Sequence, residues 1–360
     1  MLIIVGPLAA CVAVLAVVLL ACSPGRPRPF LAGDGRPLAG SISEKIMVSI
    51  NGVEQGMFIT GRNTENPVLL FLHGGPGMPE YFLTRRYPTG LEDIFTVCWW
   101  ERRGAGLSYR ADIPPETMTM DQAIADTLAV TDYLRDRFGQ QRIYLMAHSG
   151  GSFIGIQAAA RAPERFHAYI GMSQMSYQLE SENLASTYLL GYFSEAGDTG
   201  TVRKLRATPL TMSVPLPEAW MLMRDGIMHR AGVGTTRDMK SVITGVFLAS
   251  WFSRDYTLKE KAAIWGGKNF AQSLMWDDMI STDLRAVVKR LELPVYFFHG
   301  KHDYTVSYAL MKGWFGRLEA PLKGFYTFER SAHSPVFEQP DEMGRILRED
   351  VLRGTNQLAD

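Results

Sequence analysis

The sequence predicts an α/β fold: a mostly parallel sheet of eight strands, entered through a hairpin and flanked by helices on both faces. Three observations predict it. Short β-type apolar runs alternate with helical patterns along most of the chain, as strands joined by crossover helices do. Asn51-Gly52 lies near the junction of the first two runs, and that dipeptide favours a tight hairpin turn. Four later runs each end in a loop bearing a glycine cluster, a serine, an acid or a histidine.

Residues 1–22 come first. Leu2 through Cys22 carries no charged residue over 21 positions, enough at ~1.5 Å per residue to cross a ~30 Å hydrocarbon layer as a helix. Signal-peptide apolar cores run only about 7–15 residues behind a basic start, and no Lys or Arg stands here. That pattern favours an uncleaved anchor. Leu19-Leu20-Ala21-Cys22 also resembles a bacterial lipobox, which would make Cys22 a lipidated terminus. Both readings tie the protein to a membrane and differ on the side. Arg26, Arg28 and Arg36 would hold that flank cytoplasmic, whereas a lipobox implies export.

Residues 23–43, rich in Pro, Gly and Arg and without periodicity, read as a linker. Ile46–Ile50 and Met57–Thr60 read as paired strands, followed by strands at 68–72, 94–100, 143–147, 168–172, 295–299 and 325–328. Thr119 to Phe138 reads as a helix with a Thr cap, stopping before Gly139. Residues 44–175 and 286–360 then make two parts of one core. Residues 176–285 break the rhythm: they are Met- and Trp-rich, helical in pieces, and interrupted by Pro215 and Pro217.

Composition narrows the function. The chain of 360 residues is 46% hydrophobic and 21% charged, with 37 basic against 37 acidic residues. A neutral balance excludes an electrostatic nucleic-acid partner. Cys98 is the one cysteine outside the first 22 residues and sits in a strand-like run, so it reads as a buried small hydrophobe. No Cys/His spacing suggests zinc, so no metal or organic cofactor is implied.

The chemistry concentrates at Ala147-His148-Ser149-Gly150-Gly151, between the strand-like Ile143–Met146 and the helix-like Ser152–Arg161. A serine at so sharp a turn needs small residues two positions to either side. Ser152 is the competing nucleophile, but it would put bulky Ile154 where a small residue is needed. Upstream, Val68–Leu72 leads into His73-Gly74-Gly75-Pro76-Gly77, whose glycines can turn backbone N–H groups toward a ligand. Downstream, Asp303 follows Val295–His299, and His333 follows Phe325–Phe328. A serine hydroxyl needs a base to take its proton. His333 would be that base, and Asp303 would hold its tautomer. Asp303 also fits a plain turn residue. His299, His302, Ser331 and Ser334 read as structural, and Arg103 as an ion-pair partner more readily than a substrate contact.

These residues resemble α/β-hydrolases of the proline iminopeptidase-like branch. His73–Gly77 matches that branch's H-G-G-P-G oxyanion loop. Trp100–Ser108 resembles its W-D-Q-R-G-x-G-x-S segment, with Glu101-Arg102 in place of Asp-Gln. The likeness covers about residues 44–175 and 290–350, and the order Ser, Asp, His matches such triads. It implies an α/β-hydrolase fold with residues 176–285 as a helical cap. It also implies catalytic Ser149, Asp303 and His333, an oxyanion hole from the Gly75 and Gly150 N–H groups, and a supporting loop of His73, Gly74 and Gly77.

The expected activity is release of N-terminal residues, preferably proline, from short peptides. Such substrates need cap carboxylates for the free amine. The branch's W-x-x-W-E element is missing, which leaves Glu180, Glu182 and Glu195 as stand-ins. A membrane-tethered esterase or amidase on apolar acyl substrates is the alternative. A catalytically silent hydrolase fold acting as a binding module is a third reading. The partners are a small molecule or short peptide, plus the membrane through the N-terminal segment. The oligomeric state is left open.

Overall fold

The computed structural model describes residues 14, 17–21 and 23–360. Among these, eight strands form one sheet in the order β1-β2-β4-β3-β5-β6-β7-β8. β1 (Ile42–Ile50) and β2 (Val53–Gly61) are antiparallel and meet at Asn51-Gly52. Both turn residues have positive φ, 46° and 77°, as a two-residue hairpin with the strands' own twist requires. β2 pairs antiparallel with β4 (Thr96–Trp100). From there β3 (Val68–Leu72), β5 (Ile143–His148), β6 (Phe166–Met172), β7 (Val295–Gly300) and β8 (Lys323–Phe328) continue in parallel.

Period-two alternation sends successive side chains to opposite faces. Leu70, Leu72, Cys98, Leu145 and Ala147 join the core on one face. Leu69, Phe71, Val97, Tyr144 and Met146 join the core on the other. Both faces are covered, which is why the central strands read as continuous apolar runs. Cys98 is fully buried and free, as its strand setting implied.

α1 (Met120–Phe138) starts where Thr119 accepts from the Gln122 N–H and stops at Gly139, φ 63°. α2 (Gly150–Arg161) follows β5 directly. Between β6 and β7 lie α3 (Gln178–Glu195), α4 (Thr199–Arg206), α5 (Glu218–Ala231), α6 (Leu248–Phe252) and α7 (Leu258–Ser281). Leu179, Leu189, Phe193, Trp220 and Ile227 give these helices a core of their own. Arg85 and Asp255 join this region to the loop after β3 through two bonds of 2.9 and 2.8 Å. Tyr256 adds a hydroxyl bond to the buried Glu101. Arg103 forms a buried two-pronged pair with Asp126, at 2.7 and 3.1 Å, so it serves the fold.

The expected anchor at 1–22, Cys22 included, lies almost wholly outside the described residues. Among the described residues no helix is long and apolar enough to cross a membrane. The segment read as a linker runs against the domain: Gly25 N–H donates to Arg254 O at 3.2 Å, and Lys261 Nζ reaches Ser23 Oγ at 2.8 Å.

Candidate active site

Ser149 stands between the end of β5 and the start of α2 with φ 52° and ψ −125°. A side chain suffers steric strain in that left-handed region, and such strain gathers where function requires it. Small neighbours are needed because two loops abut there. A Cβ on Gly150 would lie 2.8 Å from the Gly75 carbonyl oxygen, and one on Gly151 would lie 2.4 Å from that of His73. Ala147 is fully buried and fits, so the departure from glycine at that position is accommodated. Ser152 has a structural part: it is buried in α2, donates to the Ser149 carbonyl and accepts from the Met175 N–H.

Gly150 opens α2, so its N–H has no acceptor within the helix. Gly75 has φ 56°, and both glycines line one cavity with Ser149. The loop carrying Gly75 is held from behind. Arg102 donates to the carbonyl oxygens of His73, Gly75 (2.8 Å) and Pro76 (3.1 Å). Burial pulls its guanidinium down to about 9, against the attraction of Glu80. His73 donates from Nδ1 to Gly74 O at 2.9 Å and accepts the Arg102 N–H at Nε2. Burial, helped by Arg102, keeps the His73 imidazole well below its ordinary pKa and therefore neutral. Gly74 N–H donates to Glu80 Oε1 at 2.6 Å.

His333 Nδ1 lies 2.9 Å from Asp303 Oδ2. The other Asp303 oxygen accepts the Thr305 and Val306 N–H groups, both at 2.9 Å. One oxygen of Asp303 thus closes the turn of its own loop, as the turn reading expected, and the other faces His333. Burial pushes its carboxyl up, but His333 and His299 outweigh this and hold it well below the carboxylate range. For His333 burial dominates and lowers the imidazole from 6.5 despite Asp303. A neutral imidazole beside a carboxylate is a ready base. Glu338 shapes the loop by accepting the Ala332 and Ser334 N–H groups, and Ser331 is engaged by Gln339 at 3.0 Å.

Two cavities meet at Ser149. One, of about 240 Å³, is lined by polar groups including Gln178, Arg224, Asp225 and Gln272. The other, of about 380 Å³, includes His333 and an apolar wall. Ser149, Gly75 and Gly150 thus face one space, and Ser149 and His333 face another.

The three glutamates expected to meet a substrate amine are not brought to either cavity. Glu180 pairs with Arg285 at 2.8 Å. Glu182 is fully buried and saturated by Trp220, Arg224 and Gln178. Glu195 is exposed at the end of α3. A long helix turns most of its positions away from any one site, and sequence alone does not say which face looks inward. Asp225 on α5 is the cap carboxylate that lines both cavities. Arg102 and Asp225 escaped the sequence reading. The Glu101-Arg102 departure was a signal for the former, and no local pattern marks the latter.

Comparison with known proteins agrees with this architecture. A family model described as "alpha/beta hydrolase fold" matches residues 67–340. The chain is 31% identical over 315 residues to the probable aminopeptidase YbaC of Bacillus subtilis (strain 168), covering 86% of this chain and 97% of that one. A proline iminopeptidase-related protein of Thermus thermophilus superposes with TM-score 0.57 at 19% identity, over 87% of this chain and 98% of that one. The proline iminopeptidase of Mycobacterium smegmatis gives 0.58 at 15% identity, over 86% and 98%. At those identities the solved structures speak to fold alone.

Proposed function

The chain belongs to the alpha/beta hydrolase fold family, and on that premise we propose that it is a serine hydrolase releasing N-terminal residues, preferably proline, from short peptides. The observation that carries the reading is the His333–Asp303 pair in a cavity wall shared with Ser149, which is held at φ 52°. Ser149 Oγ attacks the scissile carbonyl carbon while His333 takes its proton. The oxyanion is met by the Gly75 and Gly150 N–H groups. As the C–N bond breaks, His333 returns the proton to the departing amine. Water then attacks the acyl-enzyme by the same route and frees Ser149.

The aminopeptidase assignment is supported by the relative from Bacillus subtilis and by Asp225, which would offer a carboxylate to the substrate ammonium. Turnover of Pro-p-nitroanilide tests it, beside p-nitrophenyl butyrate and with Ser149→Ala as control. Cleavage of the prolyl amide supports the aminopeptidase. Ester cleavage alone favours the second reading, an esterase or amidase, for which the apolar wall of the larger cavity speaks. Silence on both would favour a binding module.

We extend the reading to a membrane tether through the uncharged run from Leu2 to Cys22. Fractionation of the full chain tests it, and recovery in the soluble fraction overturns it.

A further inference from the structure

The two cavities share Ser149, Gly75, Asp225 and Lys268 but differ in their walls. Gly150, Gln178 and Arg224 line only the smaller one. His333, Ser334 and Phe337 line only the larger. If Ser149 and His333 act as proposed above, chemistry tells the two spaces apart. The base must deliver its proton to the departing nitrogen, so the departing group stands where His333 forms the wall. The acyl group then occupies the smaller side, where Gly150 stands.

The larger cavity is apolar away from the reacting groups. Val242, Ile243, Val246, Phe247, Trp265 and Phe337 form that wall, and its volume of about 380 Å³ accepts a bulky side chain. Lys268, on α7, lies at the junction of the two cavities and is partly buried. Among the described residues its ammonium has no hydrogen-bond or ion-pair partner. Asp225, the carboxylate at the same junction, binds Arg224 Nη1 through one oxygen at 3.0 Å and leaves the other for the substrate ammonium. Lys268 lines both cavities beside Ser149, so it faces the space that a bond held at Ser149 spans. An anion it meets there belongs to the first residue beyond that bond.

We infer that the larger cavity is the subsite for an apolar departing amino acid whose free carboxylate is taken by Lys268, so that the preferred substrates are dipeptides with an apolar second residue. The inference rests on the aminopeptidase reading and adds to it which peptides are cleaved.

The test compares kcat/KM for Pro-Phe, Pro-Gly and Pro-Phe-amide, using the full chain and its Lys268→Met variant. Burying a benzyl group predicts Pro-Phe above Pro-Gly by about ten- to a hundred-fold. A charge-assisted contact predicts Pro-Phe above its amide by about ten-fold. In Lys268→Met the preference for the free carboxylate disappears while the preference for Phe over Gly stays. Equal rates on Pro-Phe and Pro-Gly, or an undiminished carboxylate preference in the variant, overturn the inference and leave the aminopeptidase standing. No cleavage of any of the three peptides, with p-nitrophenyl butyrate still hydrolysed, overturns both.

Discussion

His148 Nε2 donates to the carbonyl oxygen of His333 over 2.8 Å, joining the residue before the proposed nucleophile to the proposed base. The other ring nitrogen lies 2.8 Å from Glu80 Oε1, which also accepts the Gly74 N–H. One buried carboxylate–imidazole pair therefore links the elbow, the glycine loop and the base loop. Burial opposes a charge on His148, but Glu80 and the His333 carbonyl outweigh it and raise its pKa above 6.5. A protonated ring can donate from both nitrogens, as both contacts require.

This arrangement fixes a pH dependence. His333 serves as base only when neutral, and its pKa is lowered from 6.5, chiefly by burial. Activity should therefore be full above that value and fall as pH drops through a midpoint below 6.5. The charge on His148 contributes to the lowering. In His148→Gln the acid limb of kcat/KM should move to higher pH, and kcat should fall by up to about a hundred-fold as the loops it joins lose their alignment. An unmoved limb would separate His148 from the base.

Asp303→Asn keeps the shape of the acid but removes its charge and offers the wrong tautomer to His333. Loss of about 10⁴ in kcat is expected, as in other Ser-His-Asp systems. Steady-state kinetics on Pro-p-nitroanilide measures it. A loss below ten-fold would return Asp303 to the turn role that its loop position also suits.

Arg102 holds three carbonyl oxygens of the glycine loop. Arg102→Met should lower kcat by about a hundred-fold, the scale of one lost oxyanion donor, with a smaller change in KM. Arg102→Lys keeps the charge without the planar fork and should fall between the two. A thermal melt beside the kinetics separates a displaced loop from an unfolded chain.

Glu101 accepts from the Tyr256 hydroxyl and the Leu107 N–H in a fully buried site. Burial pushes its carboxyl up from 4.5 to about 8. A folded pKa above the unfolded one means that stability is greatest below about 4.5 and is lost as pH rises through about 8. Glu101→Gln cannot ionise, so its Tm should fall less than the parent's between pH 5 and pH 9. Parallel melting curves for the two proteins across that range would contradict the shift.

Sequence carried the fold well because each parallel strand is buried on both faces and so leaves an unbroken apolar run, as Val68–Leu72 does. Ser149 stood out because it follows β5 directly and opens a helix, whereas Asp303 and His333 lie in the loops beyond β7 and β8, where packing brings them within 2.9 Å of one another. Edges were less exact. β1 begins at Ile42 rather than Ile46 because backbone pairing to β2 extends it past its apolar residues. The cap residues were not legible, since α3 and α5 present charge on several faces. Packing alone decides that Glu182 is buried against Arg224 while Asp225, the residue after that arginine, lines the cavities.

Labelling of Ser149 tests the central claim most directly. The full chain is treated with a fluorophosphonate, the modified residue is located by mass spectrometry, and turnover is compared with Ser149→Ala. The account predicts one adduct on Ser149, no adduct in the variant, and a loss of turnover approaching about 10⁶-fold. Retained turnover in Ser149→Ala, or an adduct placed elsewhere, would contradict it.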